Sequence, residues 1–333
     1  MNQIIIDNFK LLIKQIKFDI DFTTGKEQMI NMYRLRSIQQ VLKILEKFPK
    51  QIKSSDQLKG IKNVGKKSLL RIDEILKTGK LSEIHITEDI DKYLNIISSL
   101  EDIIGIGRKT AYELFKTHNI TSIEDLQNKY NAGIIKLPDN IVKGLKYYGK
   151  IEERIPRIEI DKLNEILRTT VLKIDKKLYG VICGSYRREL PVSNDVDFII
   201  VHTDLKTKKD VKKKNYLEIL VTELKNMGII IDSLTSDDVQ TKYMGIYRIA
   251  ENYPLRRIDI RYIPYESFYY SILYFTGPKD FNRKMRQLAI DSGYLLNEYG
   301  LYDDHNKLVL KPKFERNIFE FLGMEYLNPN KRF

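Results

Sequence analysis

The sequence predicts a multidomain α+β chain. Two small helical modules (1–90 and 91–150) precede a mixed α/β module (151–263) and a small C-terminal α+β piece (264–333). Three observations predict this plan. A chain of 333 residues is longer than one core of usual size requires. Helical spacing of apolar residues fills the first half, and short β-branched runs begin only from Val171. A glycine-centred pattern occurs twice within the helical part.

The opening stretch, MNQIIIDNFKLLIKQ, is interrupted by Asp7, Asn8 and Lys10. It is too short and too polar for a signal peptide or a membrane span and reads as an amphipathic helix. A second helix follows from Leu35, Ile38, Val41, Leu42 and Leu45, ending before Phe48-Pro49. Then comes the repeat. LKGIKNVGKKSLLRIDEIL and LEDIIGIGRKTAYELF both read as helix, apolar turn with glycine, basic pair, helix. Gly65 and Gly107 hold the same place, followed by Lys66-Lys67 and Arg108-Lys109, with Gly105 also in the second turn. The pattern is that of paired helix-hairpin-helix motifs. A tight glycine turn exposes backbone N–H groups at a helix N-terminus, where they face an anion. The basic pair adds charge, and such a hairpin grips the DNA backbone without reading bases. Gly60 to Lys67 (GIKNVGKK) nearly matches a phosphate-binding P-loop, but Lys67 stands where a metal-binding hydroxyl belongs and helix precedes the glycine.

Net charge is +12, which suits a polyanion, nucleic acid before an acidic membrane; solubility alone is the bland alternative. Cys183 is the one cysteine, so an internal disulfide and a cysteine-rich zinc site are excluded. A reducing, intracellular compartment is expected, nuclear or viral alike. Four histidines show no ligand spacing. The run KTKKDVKKK (Lys206 to Lys214) reads as a solvated loop in preference to a localisation signal.

The mixed module holds VICG, VDFIIV, GIIIDSL, YMGIYRI and RIDIRYI as strands. Within GSYRRELPVSNDVDFIIV, Asp195 and Asp197 alternate with Val196 and Phe198, so both carboxylates face one side of a strand. Adjacent carboxylates repel and resist burial, and a hard divalent cation such as Mg²⁺ removes that cost. Asp259, alternating in RRIDIRYIP with Arg257 and Arg261, is the best third ligand. Two ions about 3.5–4 Å apart could then activate a hydroxyl and stabilise a leaving phosphate. Gly184 permits close backbone approach, Ser185 offers a hydroxyl, and Arg187 and Arg188 bring forks suited to phosphate oxygens.

The run GSYRREL…NDVDFII resembles the nucleotidyltransferase signature of the family X DNA polymerases. The resemblance extends from about Arg34 to Asn328, includes both hairpins in order, and continues through ITSIEDL, GLKYYGKIEERIPR, TKYMGIYRI and YFTGPKDFNRKMRQLAIDSGYLLNEYGLY. It implies a lyase-like, 5′-phosphate-binding first module, a DNA-binding second module, a nucleotidyltransferase-fold palm and a C-terminal piece that binds the nascent base pair. The implied activity is DNA-directed DNA synthesis filling short gaps in base-excision or related repair.

By this resemblance Asp195, Asp197 and Asp259 are catalytic and hold two Mg²⁺, with Mn²⁺ as a substitute. Ser185, Arg188 and Arg154 contact the incoming dNTP, as does Asn194, which stands where the family has glycine. Tyr274 and Phe275 lie against its sugar, Gly277 is a further dNTP contact, Asn282 touches the nascent pair and Arg286 the template side. Lys279 replaces an acidic or small residue, which makes the pocket more positive. A cis peptide bond is expected at Gly277–Pro278. A monovalent cation, K⁺ or Na⁺, is expected on the carbonyls of Lys59, Ile61 and Val64 and on those of Glu101, Ile103 and Ile106. The family's Schiff-base lysine is Arg71 here. A guanidinium stays protonated and forms imines poorly, so lyase activity is doubtful while a grip on a 5′-phosphate remains. Gapped or nicked duplex DNA and dNTPs are the expected partners of a monomer that needs no membrane, with a DNA ligase or other repair proteins besides. Two other readings compete: a nucleotidyltransferase acting on RNA or another acceptor, and a non-catalytic DNA-binding scaffold. Primer extension on gapped DNA with dNTPs or NTPs separates all three.

Overall fold

The computed structural model describes residues 2–151, 154–235 and 239–332 and divides into two units, Met1–Leu145 and Lys146–Phe333. In the first, α1 (Gln3–Phe22) and α2 (Gly25–Lys47) are joined by two residues and pack along one another. Ile5, Phe9, Leu12 and Ile16 form the buried stripe of α1, at spacings of four, three and four, against Ile38, Val41 and Leu45. Ile72 and Ile75 of α3 (Lys66–Thr78) close this core. Asn8, an interruption by sequence, is buried and satisfied. Its amide donates to the carbonyls of Ile4 (2.9 Å) and Gly79 (3.1 Å), and its oxygen accepts from the Leu81 N–H (3.1 Å).

A second core gathers Ile97, Leu100, Ile103, Ala111, Ile120 and Leu126. It lies among α4 (Glu88–Glu101), α5 (Arg108–His118), α6 (Ile123–Asn131) and α7 (Asp139–Tyr147). Thr87 caps α4 by accepting from the Ile90 N–H (3.3 Å), so residue 90 lies in a first helical turn and not between elements. At Gly144 a Cβ would stand 2.0 Å from the Ile104 carbonyl, so only glycine lets α7 approach the second hairpin. The end of α1 also enters this core. Phe18 and Phe22 meet Tyr93 edge-on, at 5.6 and 5.3 Å between ring centres. Asp21 accepts from the Tyr93 hydroxyl (2.9 Å) and from Arg108 Nε (2.9 Å) and Nη2 (2.6 Å).

The second unit is built on a five-stranded sheet of β2 (Leu178–Ile182), β4 (Val196–His202), β5 (Ile230–Ser233), β6 (Lys242–Tyr247) and β7 (Arg256–Tyr262), in the order β2-β4-β7-β6-β5. The pair β4/β7 is parallel and the other pairs are antiparallel. A separate short pair joins β1 (Ile155–Pro156) to β3 (Val192–Ser193). On one face, Phe198, Ile200, Ile258 and Ile260 pack against α8 (Arg157–Ile174) and α11 (Tyr216–Asn226). On the other, Ile199 and Val201 meet α12 (Phe268–Thr276) through Phe268 and Ile272. The short α9 (Gly184–Arg187) follows β2.

The lysine run forms α10 (Lys208–Lys213) and not a loop. Thr207 and Asp210 make a capping box, a signal present in the spelling TKKD, and Val211 anchors the helix in the core. Its lysines are exposed. The C-terminal part packs α13 (Lys279–Asp291), the hairpin β8 (Leu295–Leu296)/β9 (Leu301–Tyr302) and α14 (Glu315–Phe321) around Leu273, Phe281, Met285 and Phe319. The Gly277–Pro278 bond is cis. Among the described residues no helix is long and apolar enough to cross a membrane.

Candidate active site

Parallel pairing sets Asp197 of β4 directly beside Asp259 of β7. Their neighbours Val196, Phe198, Ile258 and Ile260 are buried, so alternation turns both carboxylates to the opposite face, and Asp195 stands one step before β4. Burial, reinforced by the charges of Asp195 and Asp259, pushes the Asp197 carboxyl up to about 7. Burial also raises Asp259, although Arg257, Arg261 and Lys242 pull it the other way. Oδ1 of Asp259 is buried and has no hydrogen-bond partner. Asp195 is held by the Arg257 guanidinium. Among the described residues no three carboxylate, histidine or cysteine side chains are gathered closely enough to hold an ion. The donor set nevertheless fits a hard divalent cation: it is all carboxylate oxygen, one oxygen is orphaned, and two carboxyls are destabilised as anions.

Gly184 sits at φ +57°, and a Cβ there would stand 2.8 Å from Asp197 Oδ2. Glycine is thus required both for the backbone conformation and for the room. A cavity of about 520 Å³ opens beside the carboxylates. Gly184, Ser185, Arg188 and Asn194 line it next to Asp195 and Asp197, while Tyr274, Phe275, Gly277, Asn282 and Arg286 line it from α12 and α13. Ser185 donates its hydroxyl to Ser193 Oγ (2.7 Å), and Arg188 donates to the Thr276 carbonyl (2.5 Å). Asn282 donates to the Tyr274 carbonyl (2.6 Å), and Arg286 lies over the Tyr274 ring at 5.2 Å.

Two arginines depart from the expected roles here. Arg187 is engaged by the protein and does not line the cavity: it donates to Glu315 Oε2 (2.8 Å) and Thr276 Oγ1 (2.6 Å). Glu315 also accepts from Arg332 (2.6 Å), whose guanidinium lies 5.1–5.7 Å from the rings of Phe281, Phe319 and Tyr326. Arg154 is exposed and does not line the cavity; its carbonyl accepts from buried Arg256 (3.4 Å), which fixes the backbone and leaves the side chain to solvent.

In the first unit the two hairpins close alike. Val64 N–H donates to Ile61 O and Ile106 N–H to Ile103 O, both at 3.0 Å. Gly65 and Gly107 are the N-caps of α3 and α5, and with Gly105, Lys66, Lys67 and Lys109 they are exposed. Lys59 pairs with Asp56, and Glu101 lies 3.4 Å from Arg108. Arg108 and Arg71, expected to face phosphates, are each paired with carboxylates of the protein. Arg108 is tied to Asp21 and Glu101. Arg71 donates Nε and Nη2 to Glu83, the latter at 3.2 Å, and Glu83 accepts from Arg34 as well (2.7 Å). Burial alone would raise the Glu83 carboxyl, but Arg71 and Arg34 hold it below its usual range.

Comparison with known proteins accords with this arrangement. The DNA polymerase beta palm model matches residues 154–265, the DNA polymerase beta thumb model residues 271–333, and a helix-hairpin-helix domain model residues 16–81. The chain is 31% identical to DNA polymerase lambda of Arabidopsis thaliana over 92% of its own length, and 29% identical to that of Rattus norvegicus over 90%. It spans 60% and 52% of those two relatives. DNA nucleotidylexotransferase of Xenopus laevis is 24% identical, over 99% of this chain and 68% of that protein. With hairpin, palm and thumb matched in that order along it, the chain belongs to the family X DNA polymerases.

Proposed function

We propose that the protein is a DNA-directed DNA polymerase that fills short gaps during repair, joining a dNTP to a primer 3′-OH and releasing pyrophosphate. The observation that carries this reading is the placement of Asp195 and Asp197 on the wall of a cavity that also carries cations, with Asp259 paired beside Asp197. Asp195, Asp197 and Asp259 would hold Mg²⁺, two ions per site or Mn²⁺ in their place, and the bound ions would activate the attacking hydroxyl and neutralise the leaving phosphate. Ser185 and Arg188 hold the triphosphate by charge-assisted hydrogen bonds. Tyr274 and Phe275, which line the cavity, would lie against the sugar and disfavour a 2′-OH. Asn282 and Arg286, four apart on one face of α13, check the shape of the nascent pair through minor-groove acceptors common to all base pairs.

The helix N-termini behind Gly65 and Gly107, with Lys66, Lys67 and Lys109, hold DNA phosphates, aided by K⁺ or Na⁺ at the hairpin carbonyls. The substrate is gapped or nicked duplex, bound by a monomer inside a reducing cell compartment, with a ligase or other repair protein to follow. The pairing of Arg71 with Glu83 supports a first module that binds ends without lyase chemistry.

Extension of a primer across a one-nucleotide gap tests the reading. Addition of dNTPs but not NTPs, lost with EDTA, is expected. Equal use of NTPs would favour an RNA-directed or other acceptor chemistry. DNA binding with no extension under any metal would leave only a scaffold.

A further inference from the structure

Lys279, the first residue of α13, also lines the cavity beside Asp195 and Asp197. The carboxylate of its own turn, Asp280, pairs with Arg283 (2.5 Å). A cation at the start of a helix opposes the helix dipole, so stability does not favour lysine there. The other two cations of the cavity are engaged, Arg188 with the Thr276 carbonyl and Arg286 over Tyr274. Among the described residues, Lys279 is the cation of this cavity that no protein acceptor or ring holds. Its position, three and seven residues before Asn282 and Arg286, puts all three on one helix face. A lysine carries a mobile point charge on a four-carbon stem, which meets phosphate oxygens without demanding a fixed fork geometry.

We propose that Lys279 sets the affinity for the incoming nucleoside triphosphate by pairing with its phosphates, a role that rests on the polymerase reading above. The charge on those phosphates is present before and during the reaction, so the contact acts on nucleotide binding more than on the maximal rate. It reads charge and not base, so all four dNTPs respond alike.

Single-turnover filling of a one-nucleotide gap, run with each dNTP, tests this on the full chain. Lys279→Ala is expected to raise the apparent nucleotide dissociation constant about tenfold for all four, as the loss of one charge-assisted hydrogen bond would. Lys279→Glu raises it further, and Lys279→Arg stays within about threefold of the unaltered chain. Lys209→Ala on exposed α10 serves as the control and changes neither constant. Equilibrium binding of a non-hydrolysable dNTP to the protein on gapped DNA should show the same ratios. A shift below twofold in Lys279→Ala, or one confined to a single base, overturns the proposal. A failure of the unaltered chain to fill the gap, with nucleotide binding still dependent on Lys279, would overturn the polymerase reading alone.

Discussion

Glu315→Ala probes the buried ion cluster of Arg187, Glu315 and Arg332. The Glu315 side chain is 7% exposed and accepts from Arg187 at 2.8 and 3.3 Å, from Arg332 at 2.6 Å and from the Tyr326 hydroxyl at 3.4 Å. Its removal strands two guanidiniums. The Arg332 side chain is 0% exposed and already has one nitrogen, Nη2, without a partner. Arg187 keeps Thr276 Oγ1 at 2.6 Å and reaches some solvent. Breaking a buried pair costs about 3–5 kcal/mol. The two pairs share one carboxylate and do not add, so about 4 kcal/mol is expected in total. In a unit of this size that is roughly 8–16 °C in Tm.

Urea unfolding of the full chain measures the loss, and acid should shrink it. Burial alone would raise the Glu315 carboxyl, yet hydrogen bonds from Arg187 and Arg332 hold it below its usual range. A depressed folded-state pKa gives stability that is present above the unfolded value, about 4.3, and lost as pH falls through the folded one. A loss under about 1 kcal/mol, or one unchanged down to pH 3, would refute the reasoning. Glu315→Gln, which keeps an acceptor without charge, should fall between wild type and alanine.

Three other outcomes follow from the same geometry. Asp259→Asn should cut nucleotide addition more than a hundredfold (an order-of-magnitude expectation for a lost metal-ligand charge) while DNA affinity stays close to wild type; extension within tenfold would sink the three-carboxylate site. Without metal, stability should fall by up to a few kcal/mol as pH rises from about 4 to about 7, since the raised Asp197 carboxyl favours the fold only while protonated; Asp197→Asn should flatten that slope in thermal melts, and an unchanged slope would assign it elsewhere. Borohydride trapping on a pre-incised abasic site should fail with the wild type and remain weak in Arg71→Lys, because Glu83 keeps a neighbouring amine protonated. The Arg71→Lys/Glu83→Gln pair should trap better, and efficient trapping by the unaltered chain would contradict this account.

What could be read in advance follows from what is periodic. Alternation in VDFII and RIDIRYI placed the carboxylates on one face, and the repeat of apolar turn, glycine and basic pair located both hairpins. The fate of individual arginines could not be read this way. A guanidinium faces solvent or a carboxylate according to tertiary contacts, and the partners of Arg187 and Arg108 lie 128 and 87 residues away. Even Glu83, twelve residues from Arg71, reaches it only because the chain folds back after α3. The same holds for Asn8, polar by type but buried because Gly79 and Leu81 supply its hydrogen bonds. The helix at Lys208 was signalled locally by Thr207 and Asp210, a pattern easily masked by its charge.

The far end of α1, where Phe18, Asp21 and Phe22 reach Tyr93 and Arg108, makes the two hairpin halves share one helix. Neither half can open without withdrawing a wall of the other, so residues Met1–Leu145 should exchange their slowest amide protons as one cooperative block. Excising α1 would therefore loosen the distant second hairpin along with the first, and a graft of that second hairpin into another protein would have to carry α1 with it.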